Sequence, residues 1–220
     1  MGERSYTLAK NGYILKLEAK KSVCKIAAVV FIWLCVLVPA VSVVAGSPLE
    51  HIKSNIDQIV AVLDDKSFRQ SHTKEELNEK LRGIAHKKFD WEEIARRSLG
   101  LYWKERSQDE KEEFTSLLIN LLENSYINKI VNNYSGERVL YDKEIIDGKR
   151  ALVETRIINK AEQEISVGYR LVKKGEKWCA YDVIIEGISL VKNYRVQFYD
   201  IIRKSSYNEL IKRLKEKQLE

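Results

Sequence analysis

The sequence predicts an α+β domain in which amphipathic helices from both ends of the chain pack on one face of a four-stranded antiparallel meander. Two observations carry this. Apolar residues recur at helical spacing from Ile52 to Tyr126, and near Glu137 the pattern switches to alternation. The alternating runs are separated by short turn signals and end at a corner centred on Gly187, after which helical spacing resumes.

The first 45 residues read as an export signal. They hold six basic and two acidic side chains, so most of the net charge of +6 lies here. No charge occurs from Ile26 to Leu49, and the greasiest run, Ile26–Val38, is 13 residues long and follows Lys20, Lys21 and Lys25. Pro39 breaks the run and Val43-Val44-Ala45 offers a small-residue cleavage site, the order of a secretory signal. Extended to Val44, the stretch reaches 19 residues, which is also the length of an uncleaved anchor. Cleavage after Ala45 is the preferred reading, leaving residues 46–220 as one domain.

Ser47-Pro48 opens the first helix with a capping hydroxyl and a proline at the first helical position. Ile52, Ile56, Ile59, Val60 and Leu63 form its stripe, and Asp64-Asp65-Lys66 ends it. Thr73 and Glu76 form a capping box before Leu77, Leu81 and Ile84. Asp90 and Glu93 start a third helix with Trp91, Ile94, Ala95 and Leu99 inward and Gly100 at its end. Ser107 and Glu110 form another box, followed by Phe114, Leu117, Leu118, Leu121, Leu122 and Tyr126 on one stripe.

Beyond Glu137, Val139, Tyr141 and Ile145 alternate with Arg138, Asp142 and Glu144. Asp147-Gly148 is a hairpin signal, and Ala151, Val153, Thr155 and Ile157 make the second strand. Asn159-Lys160-Ala161 turns the chain into Ile165, Val167, Tyr169 and Leu171, and Lys174-Gly175-Glu176 turns it again into Trp178–Glu186. Three strands have one polar face, so the sheet is covered on one side; the fourth is apolar on both. After Gly187, Ser189 caps a helix bearing Leu190, Val191, Tyr194, Phe198, Ile201 and Ile202. Ser206 and Glu209 form a last box ahead of Tyr207, Leu210, Ile211 and Leu214.

The body carries 32 basic and 30 acidic side chains, a balance that argues against nucleic acid as a partner. His51, His72 and His86 stand apart from one another and from cysteines, so no metal site or other cofactor is expected. Cys179 is the single cysteine of the body and has no local signature of a nucleophile. Neither a glycine-rich phosphate loop nor a nucleophile elbow occurs. Asp182 lies in a very apolar strand. It reads as an acid hydrogen-bonded at the sheet edge or helix start; a buried carboxylate there is also a candidate general base.

Two blocks resemble a known family. Tyr181-Asp182-Val183-Ile184-Ile185-Glu186-Gly187-Ile188-Ser189-Leu190-Val191, followed by Asn193-Tyr194-Arg195 and Gln197-Phe198, is similar to the C-terminal signature of the MlaC family. Phe89-Asp90-Trp91-Glu92-Glu93-Ile94-Ala95-Arg96-Arg97-Ser98-Leu99-Gly100-Leu101-Tyr102-Trp103 matches a second block, with Leu101 where a basic residue is more usual. The resemblance spans about residues 49–217. Members of that family are periplasmic phospholipid-binding components of the lipid-asymmetry pathway and auxiliary proteins of ABC transporters.

The resemblance implies a non-enzymatic periplasmic carrier with an apolar pocket for acyl chains between helices and sheet. It also implies an inner-membrane ABC transporter lipid complex and an outer-membrane lipoprotein complex as partners, and the carrier is expected to be a monomer. Carried onto this chain, the pocket would be lined from the sheet by Val139, Val153, Val167, Tyr169, Val183 and Ile185. The helices would add Trp103, Leu118, Leu121, Leu190, Tyr194 and Phe198. Arg96, Arg97, Lys104 or Arg195 would stand at the mouth, near a lipid head group. Two other readings remain: a small enzyme on a cone-shaped α+β fold with Asp182 as base, and an interaction module of a transporter with no cavity.

Overall fold

The computed structural model describes residues 46–217; the expected signal segment and its cleavage site lie outside the described residues. Helix α1 (Pro48–Asp64) begins with a full capping box between Ser47 and Glu50 and with proline in its first turn. It ends where expected, but the chain does not then run free. Asp65 accepts a hydrogen bond from the Phe68 amide and starts a six-residue helix, α2 (Lys66–Ser71), that the apolar pattern does not announce. Helices α3 (Lys74–His86) and α4 (Trp91–Leu99) open on the expected caps Thr73 and Asp90. Gly100 closes α4 at φ 62°, a dihedral that suits glycine, and a short 3₁₀ turn (Gly100–Glu105) follows.

Helix α5 (Gln108–Asn133) is 26 residues long and starts on the Ser107–Glu110 box. It has no single apolar stripe along its whole length. Its first half buries Phe114, Leu117, Leu118 and Leu121 against α4 and the C-terminal helices, whereas Ile127 in its second half faces α1 and α3. The helix therefore serves two cores that lie at different angles about its axis.

The sheet runs β1 (Arg138–Asp147), β2 (Arg150–Ile158), β3 (Glu164–Lys174), β4 (Lys177–Ile185) and a fifth strand of two residues, β5 (Ile188–Ser189), in sequential antiparallel order. The expected corner at Gly187 is thus a tight hairpin. Glu186 (φ 49°) and Gly187 (φ 77°) both take left-handed dihedrals, and Ile185 pairs directly with Ile188. Ser189 then caps α6 (Leu190–Lys204) by accepting from the Lys192 amide at 3.0 Å. The last helix, α7 (Tyr207–Glu216), keeps only half of its expected box. Ser206 accepts from the Glu209 amide, while the Glu209 carboxylate turns instead to Arg213 at 2.7 Å.

Two bulges reset the alternation. The β1–β2 register slips between Tyr141 and Lys143, leaving Asp142 unpaired. Tyr141 faces Thr155 and Glu144 faces Val153, so both turn to the covered side, and Ile145 moves to the open side, 41% exposed. Simple alternation puts Ile145 inward; the extra residue reverses it. The second slip, between Arg170 and Leu171, leaves Tyr181 unpaired in β4. There Ala180 exchanges backbone hydrogen bonds with Lys88 and Asp90, at 2.9 and 2.8 Å, so residue 89 covers part of that edge and β5 covers the rest. This double cover leaves little of the β4 edge unpaired.

The apolar residues form three clusters, not one. The first joins α4, the front half of α5, α6 and α7 around Phe114. The second packs the start of α1 on the far end of the sheet, with Ile52 against Val153, Leu171 and Trp178. The third joins the end of α1, α3 and the rear of α5 through Leu63, Leu81 and Ile127. The space where the three would meet is open.

Candidate functional site

That space is a cavity of about 590 Å³ between the covered face of the sheet and the helices. Its size falls in the range of about 300–1,000 Å³ usual for small-molecule sites. Each wall follows from local structure. Alternate residues of the strands place Val139, Ile157, Val167 and Val183 on its sheet side. Helix α1 contributes Ile56, Ile59, Val60 and Leu63, one helical stripe, and α5 contributes Tyr126, Ile127 and Ile130 from its rear half, with Leu122 at the border with the first cluster. Phe89, Trp91 and Ile94 close it at the α4 end. At the opposite end the rim is open, and Ile130 and Ile165 are 42% and 41% exposed there. The far half of the sheet is filled by Ile52, Leu49 and Ile56, so the cavity occupies only the half near Val139 and Ile185.

Polar groups in the lining are few and mostly engaged. Asp182 is 4% exposed; its Oδ2 accepts from Arg170 at 2.9 Å and from the Ser189 hydroxyl at 2.7 Å, and its Oδ1 accepts from the Val191 amide at 3.1 Å. It is therefore a clasp between β3, the β4–β5 hairpin and the start of α6. With three donors on its two oxygens and no neighbouring acid–base partner, its geometry serves anchoring better than proton abstraction. Glu123 lies 3.4 Å from His86 Nδ1. Burial pushes the Tyr169 phenol up to about 12, so it stays neutral in the lining. Tyr126 is also raised, by burial first and then by its neighbour Tyr194. Among the described residues, no group of His, Cys, Asp and Glu is arranged to hold a metal ion. Cys179 is half-buried, and burial followed by the charge of Asp90 pushes its thiol up, away from a reactive thiolate. His51 is not on the open surface as its polar setting suggests: its Nε2 is buried without a partner, and burial lowers its pKa.

The sequence profile of the family described as MlaC protein matches residues 53–216. The chain belongs to the MlaC family. It is 24% identical over 195 residues to the intermembrane phospholipid transport system binding protein MlaC of Haemophilus influenzae, covering 84% of this chain and 89% of that one. Its fold is similar to that of a phospholipid-binding protein from Ralstonia solanacearum solved in complex with a phospholipid. The TM-score is 0.71 at 18% identity, over 79% of this chain and 98% of that one.

In this MlaC family chain, six of the side chains expected at a pocket line the cavity: Val139, Val167, Tyr169, Val183, Ile185 and Leu190. The other six lie elsewhere. Leu118, Leu121 and Phe198 are buried in the first cluster, and Val153 is fully buried in the second. Trp103 lies on a polar surface groove beside Lys111 and Glu112, and Tyr194 packs at the edge of the first cluster next to Tyr126. For Leu118, Leu121 and Phe198, which packs on Phe114, the physical reason is the turn of the α5 stripe: its front half is packed core, and only its rear half borders open space; Val153 is covered by Ile52 of α1. The α1 stripe and the Phe89–Ile94 segment were legible as apolar faces, but periodicity does not separate a face that meets protein from one that meets a void. The basic residues expected at the mouth are also engaged elsewhere. Arg96 and Arg97 both bind Glu93 at 2.6 Å, Arg97 also covers the Tyr181 ring at 4.2 Å, and Arg195 donates to the Arg97 carbonyl at 2.6 Å. Lys104 is exposed and outside the lining. Lys129 is the basic side chain that borders the cavity.

Proposed function

We propose that this protein is a periplasmic carrier that holds the acyl chains of a glycerophospholipid in the cavity and leaves the head group at the open rim. The observation that carries the reading is a cavity walled by aliphatic and aromatic side chains and open at one end. Membership of the MlaC family, and the phospholipid-binding roles of the Haemophilus influenzae and Ralstonia solanacearum proteins, support the same ligand class. Burying an acyl chain of about 15 methylenes is worth on the order of 12 kcal/mol relative to water, at about 0.8 kcal/mol per methylene. A bilayer offers the same gain. Exchange between membrane and cavity is then close to neutral and needs no chemical step, which agrees with a non-enzymatic role.

Direction of transfer comes from docking, on an inner-membrane ABC transporter lipid complex at one end of the route and an outer-membrane lipoprotein complex at the other. Residues 1–45 act as the export signal, and residues 46–220 work as a single monomeric domain. Among the described residues, no helix is long and apolar enough to cross a membrane. Native mass spectrometry and solvent extraction of the purified protein test the reading. Stoichiometric glycerophospholipid is the expected result, and protein free of extractable lipid overturns it.

A further inference from the structure

The rim of the cavity carries two charged side chains that belong to no ion pair among the described residues. Lys129 lies on the exposed side of α5, on the same stripe as Tyr126 and Asn133, and all three border the cavity. Its ammonium stands 5.8 Å from the Tyr126 ring centroid and has no carboxylate within salt-bridge distance. Glu137 borders the same opening just before β1. Its carboxylate accepts from the Ser135 amide at 2.9 Å and from the Ser135 hydroxyl at 2.8 Å. Burial works to raise its pKa, but the hydrogen bonds from Ser135 prevail and hold it below the usual range, so it is ionised at neutral pH.

The other charged side chains of the lining, Asp182 and Glu123, already have partners, while Asp64, which accepts from the Tyr134 hydroxyl at 2.8 Å, and Lys160 lie outside the lining. Arg138 pairs with Glu162 at 3.0 Å, Asp182 with Arg170 at 2.9 Å, and Glu123 lies beside His86. The Lys160 stem passes near Gly136 without pairing with Glu137 within salt-bridge distance. Among the residues that line the cavity, one cation and one anion are thus left without an ion pair.

We infer that Lys129 and Glu137 form a head-group site for a zwitterionic phospholipid, with Lys129 facing the phosphodiester and Glu137 facing a primary ammonium such as that of ethanolamine. The inference rests on the lipid-carrier reading and adds the head-group class to it. An anionic lipid satisfies Lys129 equally well but leaves Glu137 facing no positive charge. The two residues therefore play separable parts: Lys129 acts on every phospholipid, and Glu137 acts on the choice between them. Lys129 is exposed and Glu137 only partly buried, so each contact is worth at most about 1 kcal/mol, or about fivefold.

The test exchanges purified protein against vesicles of equimolar phosphatidylethanolamine and phosphatidylglycerol with matched acyl chains, then weighs the lipids recovered with the protein. The wild type is expected to favour phosphatidylethanolamine by about two- to fivefold. Glu137→Gln, whose amide oxygen still accepts from Ser135, is expected to bring that ratio to about one without loss of total lipid. Lys129→Gln is expected to lower retention of both lipids by a similar factor and to keep the ratio, and Lys129→Arg to restore retention. A wild-type ratio of one or below, or a ratio that survives Glu137→Gln, overturns the inference while leaving the carrier reading in place. Absence of lipid from the wild type and all three variants overturns the carrier reading itself.

Discussion

Replacing Asp182 by Asn distinguishes a clasp from a catalytic base. The carboxylate presents acceptors on both oxygens, to Arg170 and Ser189 on one side and to the Val191 amide on the other. Asparagine offers one acceptor and one donor. Turned one way, its NH₂ meets the Val191 N–H; turned the other, it meets the Arg170 guanidinium, which can only donate. Either orientation loses a hydrogen bond involving a charged group, worth about 1.5–3 kcal/mol, and leaves a buried donor unmatched at about 1–3 kcal/mol. The Arg170 side chain is 46% exposed, so its electrostatic share is discounted for solvent screening, and the expected loss is about 3 kcal/mol. At about 2–4 °C per kcal/mol for a domain of this size, that lowers Tm by roughly 6–12 °C. Denaturant and thermal unfolding followed by circular dichroism measure it, with lipid extraction on the same samples. The clasp account expects a destabilised protein that still retains lipid in its folded fraction. A loss below about 1 kcal/mol refutes the anchoring argument, since it lies under the value of even one such hydrogen bond.

Further outcomes follow from the separation between packed core and open lining. Leu118→Ala and Phe114→Ala, at 1% and 0% exposure, are expected to cost about 2–5 kcal/mol each in denaturant unfolding, with lipid occupancy of the folded protein unchanged. Val183→Trp places an indole in the cavity, and it is expected to abolish lipid recovery while the circular dichroism spectrum stays native. Ser107→Ala removes the hydroxyl that accepts from the Glu110 amide at 3.2 Å, with an expected cost of about 1 kcal/mol by the same unfolding assay. Burial is the leading cause that pushes the phenols of Tyr134, Tyr169 and Tyr207 up to about 12. Their unfolded value is about 10, so the unfolded chain releases these protons first. Stability is then expected to hold below about pH 10 and to fall as pH rises from about 10 to 12. An ultraviolet phenolate titration in which all of the protein's tyrosines ionise together near pH 10 contradicts that assignment.

The fold was legible because its signals are local. The Ser47, Thr73, Asp90 and Ser107 caps and the Gly100 and Gly187 stops each sit where short-range chemistry puts them. What escaped was set by longer-range geometry. Asp142 and Tyr181 are bulged because of how neighbouring strands pair, and β5 exists only because Ile188 folds back on Ile185. The cavity lay at the limit of sequence reasoning. Leu118 and Leu122 look alike on the α5 stripe, yet one is 1% exposed in packed core and the other faces the cavity. The charged rim was hidden for a related reason: Lys129 and Glu137 look like ordinary surface charges until the strand and helix ends that carry them are seen to frame one opening.

Crystals grown with a phospholipid carrying brominated acyl chains would locate the ligand by anomalous scattering. The account predicts bromine peaks inside the cavity, between Val167 and Val183 on the sheet and Ile59 and Ile127 on the helices. Bromine found only on the outer surface, or none at all in a cavity filled by rearranged side chains, would contradict it.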